Sequence, residues 1–321
     1  MFYLAATTCW SLKINSILLE ENMKKSYALA SLLAVFALLL AACGSATPQA
    51  DNLLDAIKAR GYILVSTDPN YMPQSGLNTE GTRPSDTKCP SDALSAAELQ
   101  GFDVDVAVEV GTRLGVETCF ATPDWDVITA GNWADKWDIS VGSMTVKPPR
   151  PDIFYFSTPY YAPTGVVGVP ADSTLTSVED LAGQSVCVAS ATTYLDWVNG
   201  ALDLNPADIY AQPPADISVV ELPTDQECPQ SLEAGRTDFV AYVTSKTVVD
   251  SNIAAGMAVK QLGGDLFREK NAIAIDKASS LDPTSLVEAV DNAVKEMHAD
   301  GTLSTLSEKW FGTDLTQDLV Q

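Results

Sequence analysis

The chain has 321 residues and a formal net charge of −23 at pH 7, from 19 basic and 42 acidic side chains. A chain this acidic repels phosphate backbones, so nucleic acid is excluded as an expected partner. The sequence has no Cys-x-x-Cys pair, and its sole histidine, His298, lies in a predicted helix. We therefore expect no metal site, no cofactor and no histidine-based catalytic triad.

The N-terminal region has the features of an export signal. Met23 and two lysines precede an almost wholly apolar run at 28–40, which ends in small residues before Cys43. The run of roughly 13 to 15 residues is short for a membrane helix of about 20, which favours a cleaved signal over a permanent anchor. Residues 1–22 precede the basic start and contain two acids, which favours translation from Met23. We therefore expect a signal peptide at 23–42.

Beyond a short polar tether at 43–50, predicted helices and strands alternate along the chain. In chain order they are a helix at 51–60, a strand at 62–66, a helix at 102–114, strands at 116–121 and 185–189, a helix at 192–198, a strand at 217–222, a helix at 229–234, a strand at 239–243 and a helix from 282 to 300. Residues 67–100 are rich in turn formers and are expected to form a functional loop with an insertion. Because helices separate successive strands, the sheets are expected to be parallel.

One segment, at 142–150, has the composition of an anion site. Ser143 and Thr145 lie two residues apart and precede Arg150 across a proline-stiffened turn. If the segment is extended, the two hydroxyls share a face, and the planar guanidinium suits a carboxylate. Taken alone, the segment also fits a surface turn with an exposed arginine.

Nine short motifs occur in a distinctive order after residue 60. They are G-Y-I-L-V-S-T-D-P-N-Y-M-P (61–73), G-F-D-V-D-V-A (101–107), D-W-D (124–126), W-D-I-S-V-G-S-M-T-V-K-P-P-R (137–150), F-S-T-P-Y-Y (156–161), A-T-T-Y (191–194), L-E-A-G-R-T-D (232–238), M-H-A-D-G-T-L (297–303) and K-W-F-G (309–312). Each is weak alone. In this order and spacing, the chain resembles the family 3 extracellular solute-binding proteins, the polar amino-acid receptors of ABC importers.

The resemblance implies an α/β fold of the type II periplasmic-binding-protein class. Such a fold has two lobes, each a mostly parallel sheet flanked by helices, joined by two hinge crossings. Lobe 1 is expected at 51–161 plus 271–321, and lobe 2 at 162–270. The ligand is expected in the cleft between them, which closes by a hinge motion.

The cysteines fit an exported protein. Leu-Ala-Ala-Cys at 40–43 resembles a bacterial lipoprotein box, which implies cleavage before Cys43 and lipidation of its thiol outside the cytoplasmic membrane. The four cysteines that follow are candidates for disulfides, with three possible pairings. We favour Cys89 with Cys119 and Cys187 with Cys228, since each pair would then stay within one lobe.

The resemblance also implies a ligand-binding role for particular residues. Arg150 matches the arginine that holds the ligand carboxylate, and Ser143 and Thr145 match its supporting contacts. Thr192 and Thr193 open a predicted helix whose free N–H groups suit an anion. The family's preceding glycine is Ala191 in this chain, so the two threonines are also compatible with plain capping.

Three more positions match residues that enclose the ligand side chain. Tyr71 and Trp125 would supply aromatic walls, for which core packing is the alternative role. Asp68 matches a position that meets a positively charged ligand end in some relatives. An aspartate before proline also simply forms turns.

The chain departs from the family pattern at Val243. Five residues after the Gly-Arg-Thr-Asp motif, the family usually has an aspartate that neutralises the ligand α-ammonium. Either another acid, Asp68 or Asp225, replaces it, or the ligand has no α-ammonium. Tyr242 and the hydroxyl residues after Val243 offer neutral hydrogen bonds there.

These observations predict a non-catalytic, monomeric binding protein. It would capture a small carboxylate-bearing solute, with an amino acid favoured, and deliver it to an ABC permease in the membrane. One alternative is a periplasmic enzyme on the same fold, a dehydratase acting on a cyclic carboxylic acid, which would suit a ligand without an ammonium. A ligand-sensing domain is the other.

Overall fold

A computed structural model describes residues 50–320 of the chain. The predicted signal peptide, the lipidation site at Cys43 and nearly all of the predicted tether lie outside the described residues. Within 50–320, no helix is both long and apolar enough to cross a membrane.

Helices and strands alternate through most of the described chain. The helices are α1 (Leu53–Arg60), α2 (Phe102–Leu114), α3 (Trp125–Thr129), α4 (Arg150–Ile153), α5 (Thr193–Val198), α6 (Glu227–Glu233), α7 (Lys246–Ala254), α8 (Thr284–Ala299) and α9 (Thr302–Phe311). The strands are β1 (Tyr62–Ser66), β2 (Asn70–Tyr71), β3 (Ser75–Leu77), β4 (Leu94–Ser95), β5 (Leu99–Gln100), β6 (Glu117–Ala121), β7 (Ile139–Thr145), β8 (Phe154–Phe156), β9 (Thr164–Pro170), β10 (Ser185–Ala189), β11 (Ser218–Leu222), β12 (Ala241–Ser245), β13 (Val259–Arg268) and β14 (Asn271–Asp276).

Two large sheets organise these elements. The first has strand order β4-β6-β1-β7-β14-β8, and the second has order β11-β10-β12-β9-β13. A small third sheet joins β2, β3 and β5. In the first sheet β6, β1 and β7 are parallel, and in the second β11, β10 and β12 are parallel.

Three strands of each sheet are parallel, as expected, and the remaining strands pair antiparallel, including β4 with β6 at the edge of the first sheet. Strand β14 runs antiparallel to β7 and β8, and β9 runs antiparallel to β12 and β13. These strands enter or leave a sheet where the chain passes between the two. Because no helix precedes them to return the chain to the same end, they pair antiparallel.

The chain passes between the sheets twice, and the two passages are paired with each other. It leaves the first sheet after β8 and enters the second at β9, then returns between β13 and β14. Tyr161 and Asn271 form an antiparallel bridge, and the Glu269 N–H donates to the Pro163 carbonyl at 3.0 Å. Glu269 therefore lies in the return passage, between the sheets.

The core of the first sheet follows from the apolar stripe of α2. Phe102, Val106 and Val110 are fully buried, while Leu114 is half-buried at the end of the stripe. Helix α2 ends at Gly115, whose φ of +74° is a conformation that glycine adopts without a side-chain clash. Burying each large apolar side chain stabilises the fold by about 1.5–3 kcal/mol.

Most predicted boundaries agree with the structure within two residues, and the largest strand shift is at β12. This strand was expected at 239–243 and lies at Ala241–Ser245, because its pairing with β9 runs from Tyr242 to Ser245. Phe239 instead packs into a buried cluster with Cys228.

Both favoured cysteine pairs are disulfides in the structure. Cys89 and Cys119 join the segment before β4 to β6, with an S–S distance of 2.10 Å. Cys187 on β10 and Cys228 on α6 are 2.07 Å apart. The second bond lies close to Asp225, three residues before Cys228.

Candidate functional site

A cavity of about 400 Å³, counting the space at its mouth, lies between the two sheets. It is lined by Asp68, Tyr71, Ser75, Trp125, Gly142, Ser143, Thr145, Arg150, Thr192, Thr193, Tyr194, Asp225 and Glu269. Eight of the nine predicted ligand-binding residues are among them. Tyr242 is the exception.

Arg150 begins the short helix α4 and is only 5% exposed. Its Nη1 donates to the Thr145 carbonyl at 3.1 Å, and its Nη2 donates to the Ala191 carbonyl at 3.1 Å. No carboxylate within residues 50–320 lies in ion-pair distance of it. Burial lowers the pKa of the guanidinium to about 10, against the opposing effect of Glu269. The cavity therefore contains a fixed cation that has no direct ion-pair partner among the described residues.

Ser143 does not have the extended backbone that would place its hydroxyl on the same face as that of Thr145. Its φ is +57°, at a place where the pairing of β7 with β14 is irregular. Its hydroxyl donates to Asp103 at 2.7 Å and also contacts the Tyr161 hydroxyl, while Tyr160 donates to the other oxygen of Asp103 at 2.7 Å. Ser143 thus joins the cavity wall to a buried polar network behind it.

Burial dominates the electrostatics of that network. It raises the pKa of Asp103 to about 7, although both hydroxyl donors act to lower it. The Asp103 carboxyl is therefore a titratable group directly behind the cavity wall.

The two threonines at the start of α5 have different partners. Thr192 caps the helix, accepting a hydrogen bond from the Leu195 N–H at 3.1 Å. Thr193 faces the first sheet, where its hydroxyl lies 2.8 Å from the Thr145 hydroxyl. Thr192 therefore caps the helix and lines the cavity at the same time.

Two aromatic side chains, Tyr71 and Trp125, form part of the wall. The Trp125 Nε1 donates to the Ala191 carbonyl at 3.2 Å, and the Arg150 guanidinium lies 5.7 Å from the Trp125 ring centre. The Tyr71 hydroxyl lies 2.9 Å from the Tyr194 hydroxyl, which donates to Glu269. Both hydrogen-bonded contacts join residues near the first sheet to residues of α5 or the loop before it.

Three carboxyl groups face the cavity. Glu269 accepts hydrogen bonds from Tyr194 and from Thr145, the latter at 2.7 Å, while Asp225 accepts one from Thr244 at 2.6 Å. Asp68 accepts from the Asn70 N–H at 2.8 Å. Burial raises the pKa of all three, and that of Asp225 reaches about 7 with further increases from Asp68 and Glu269.

The structure does not bring Tyr242 to the cavity. Successive residues of a strand point to opposite faces, and Val243 on β12 packs into the core of the second sheet. Tyr242 is buried in a different cluster, with its ring against Gly168. Thr244 is the residue of this strand that contacts the site, through Asp225.

Glu269 and Tyr194 were not predicted as site residues. Tyr194 belongs to the Ala-Thr-Thr-Tyr motif, so the sequence contained a signal for it. Glu269 lies in the passage between the sheets, and only the pairing of the two passages brings it to the cavity. Within residues 50–320, no group of three or more potential ligands is arranged to hold a metal ion.

The chain is similar to known binding proteins in both sequence and structure. The chain is 28% identical over 297 residues to the L-cystine-binding protein TcyJ of Escherichia coli (strain K12), covering 89% of this chain and 97% of that protein. The ancestral amino acid-binding protein AncCDT-1, a precursor of cyclohexadienyl dehydratase, has a TM-score of 0.64 and 29% identity, covering 80% of this chain and 99% of its own. An ancestral arginine-binding protein bound to arginine has a TM-score of 0.63 and 27% identity, covering 78% and 99%.

These neighbours have the type II periplasmic-binding-protein fold, and this chain shares it. The sequence model of the bacterial extracellular solute-binding proteins, family 3, matches residues 85–313, most of the chain. The protein therefore belongs to the bacterial extracellular solute-binding proteins, family 3.

Proposed function

We propose that this protein is the extracytoplasmic receptor of an ABC importer, and that it captures an amino acid in the cavity between the sheets. It would deliver the amino acid to a membrane permease as a monomer tethered through a lipid on Cys43. The family membership and the amino-acid-binding relatives support this function.

One observation carries the proposal. The Arg150 guanidinium is buried against the cavity and held by two backbone carbonyls, with no ion-pair partner within residues 50–320. An unpaired buried charge is costly, and a ligand carboxylate would remove that cost through charge-assisted hydrogen bonds.

The α-ammonium has a candidate partner in Asp225. This carboxyl is 9% exposed, and a single hydroxyl, from Thr244, donates to it. It would replace the aspartate that the sequence lacks at Val243. We therefore favour an amino acid over a carboxylic acid without an ammonium.

Ligand exchange requires the cavity to open. We infer that residues 51–161 with 271–321, and residues 162–270, move as two lobes about the paired passages. The hydrogen bonds from Trp125 to Ala191 and between Tyr71 and Tyr194 would break on opening. Closure would then bury the ligand in the shape that the permease recognises.

Thermal unfolding of the mature protein tests the proposal. We would compare the standard amino acids with non-amino dicarboxylates and aromatic acids. A ligand at 100 times its dissociation constant adds about 2.7 kcal/mol to the free energy of unfolding. We expect an amino acid to raise the midpoint, Arg150→Ala to abolish the increase, and Arg236→Ala, an exposed arginine paired with Asp238, to retain it.

A midpoint shift that survives in Arg150→Ala would contradict the carboxylate assignment. The dehydratase alternative has its own test. Mass spectrometry of the bound compound after incubation would detect loss of water. Unchanged compound recovered from the cavity is the result that our proposal expects.

A further inference from the structure

A second cavity continues from the first. It encloses about 830 Å³, counting its open side, and it shares two walls with the ligand cavity, Asp68 and Trp125. We call it the outer cavity. Its other lining residues include three further acids, Asp124, Asp126 and Glu221, but no lysine or arginine. A ligand that extends past Trp125 would therefore enter an acidic space.

The ligand cavity contains more carboxyl groups than a simple amino acid can pair with. Arg150 would meet the ligand carboxylate, which leaves three carboxyl groups for one α-ammonium. Glu269 is satisfied by two hydroxyl donors. Asp225 would meet the α-ammonium, and Asp68 would then remain without a cation.

Asp68 has an oxygen available for such a cation. It is 9% exposed, and both of its hydrogen bonds, from the backbone and side chain of Asn70, go to Oδ1. Within residues 50–320, nothing donates a hydrogen bond to Oδ2. Asp124 and Glu227 both raise the pKa of Asp68, so a positive charge beside it would stabilise several acids together.

Trp125 lies between the two cavities and can contact a cation as well. The face of an indole ring attracts ammonium and guanidinium groups. Its apolar surface also suits the methylene chain that would connect the two ends of a long ligand.

Resting on the proposed function, we propose that the ligand is an α-amino acid whose long side chain ends in a cation. The carboxylate lies at Arg150, the α-ammonium at Asp225, and the side-chain cation passes Trp125 to Asp68 at the entrance of the outer cavity. The far end of cystine carries a carboxylate beside its ammonium and so has no net positive charge, and that carboxylate would be repelled by Asp68, Asp124 and Glu221.

Isothermal titration calorimetry with a matched ligand pair tests this assignment. Arginine and citrulline have similar length and shape, but only arginine has a charged side-chain end. We expect arginine to bind at least tenfold more tightly than citrulline, and cystine to bind less tightly than arginine. Lysine and norleucine form a second pair, for which we expect the same order.

Variants of the acidic residues test which of them makes the protein prefer arginine to citrulline. Asp68→Asn should reduce the ratio of arginine to citrulline affinity by tenfold or more, because it removes charge at the side-chain end of the ligand. The triple variant Asp124→Asn, Asp126→Asn and Glu221→Gln should reduce the ratio severalfold at low salt and less at high salt. Glu288→Gln on α8 removes an exposed acid elsewhere and should leave the ratio unchanged.

The outcomes separate this inference from the function on which it rests. Citrulline or cystine binding as tightly as arginine, or an unchanged ratio in Asp68→Asn that still binds citrulline, would overturn the cation assignment and leave amino-acid capture intact. Absence of binding by any amino acid would overturn both. If Asp68→Asn does not fold, the triple variant decides, and an unchanged low-salt ratio in it would also overturn the assignment.

Discussion

Ala191 holds a backbone conformation that favours glycine. Its φ is +57°, and its carbonyl accepts hydrogen bonds from both Arg150 and Trp125. An alanine in the left-handed region costs roughly 1–2 kcal/mol. The strained residue lies in the loop after β10, and its conformation directs its carbonyl towards Arg150 and Trp125.

Glycine at this position should relieve the strain. We expect Ala191→Gly to raise the free energy of unfolding by up to about 1 kcal/mol, because the gain in the folded state exceeds the added entropy of the unfolded chain. Urea denaturation measures the change. The control is Ala255→Gly, at a helix end with φ of −75°, which should instead lower stability. A loss in both variants would contradict the strain at Ala191.

At the residue scale, the sequence predicted which side chains surround the cavity better than how each one acts. Arg150, Thr145 and Trp125 line the cavity, and their positions could be predicted because each belongs to a short contiguous motif. Tyr242 was expected at the cavity but packs against Gly168, whereas Thr244, two residues further along the same face of β12, contacts the site through Asp225. Glu269 depends on two distant segments that pair, which no local pattern contains.

Among the elements, α6 is tied to β10 by the Cys187–Cys228 disulfide. Asp225 lies at the start of this region, just before α6. The other disulfide, Cys89–Cys119, joins the segment before β4 to β6. Neither of its cysteines lines the ligand cavity.

The two disulfides should differ in their effect on binding, although the removal of either one lowers stability. The bonds span 41 and 30 residues, and closing loops of these lengths contributes about 4 kcal/mol each by the chain-entropy estimate. We expect Cys187→Ala with Cys228→Ala to lower both stability and amino-acid affinity. Cys89→Ala with Cys119→Ala should lower stability and spare affinity. Denaturation and calorimetry measure the two effects, and equal affinity losses would contradict a role for the Cys187 bond in holding Asp225.

The elements themselves follow from local patterns, whereas the sheets do not. The bounds of α2 could be predicted from its apolar stripe and from the glycine that ends it. The direction of β9 and β14 depends on how the chain passes between the sheets, so local patterns did not predict their antiparallel pairing. The shift of β12 has the same origin, since pairing with β9 selects its bounds.

For the whole molecule, buried acids link stability to pH. The pKa of Asp103 and of Asp225 is raised to about 7, from an unfolded value near 4. Between these values the folded state binds more protons than the unfolded state. Stability is therefore greatest at the acidic end of this range and falls as pH rises towards 7.

The ligand-free protein should accordingly have a lower melting temperature at pH 8 than at pH 5.5. Asp103→Asn should reduce that difference, because the amide does not titrate. Asp300→Asn is the control, since its pKa of about 2 places its effect below this range. Calorimetric scans at the two pH values measure the difference. A melting temperature that rises with pH would show that these carboxyls are not destabilised by burial.

Trp125 has a further consequence for observing the molecule. Trp133, Trp197 and Trp310 donate their indole hydrogen bonds to Ile128, Ala211 and Asp105, near their own sheets. Among tryptophans within residues 50–320, only Trp125 donates across the cavity, to Ala191. In the proposed hinge motion this contact would break, so we expect the tryptophan emission to change between the open and the closed state without an added label.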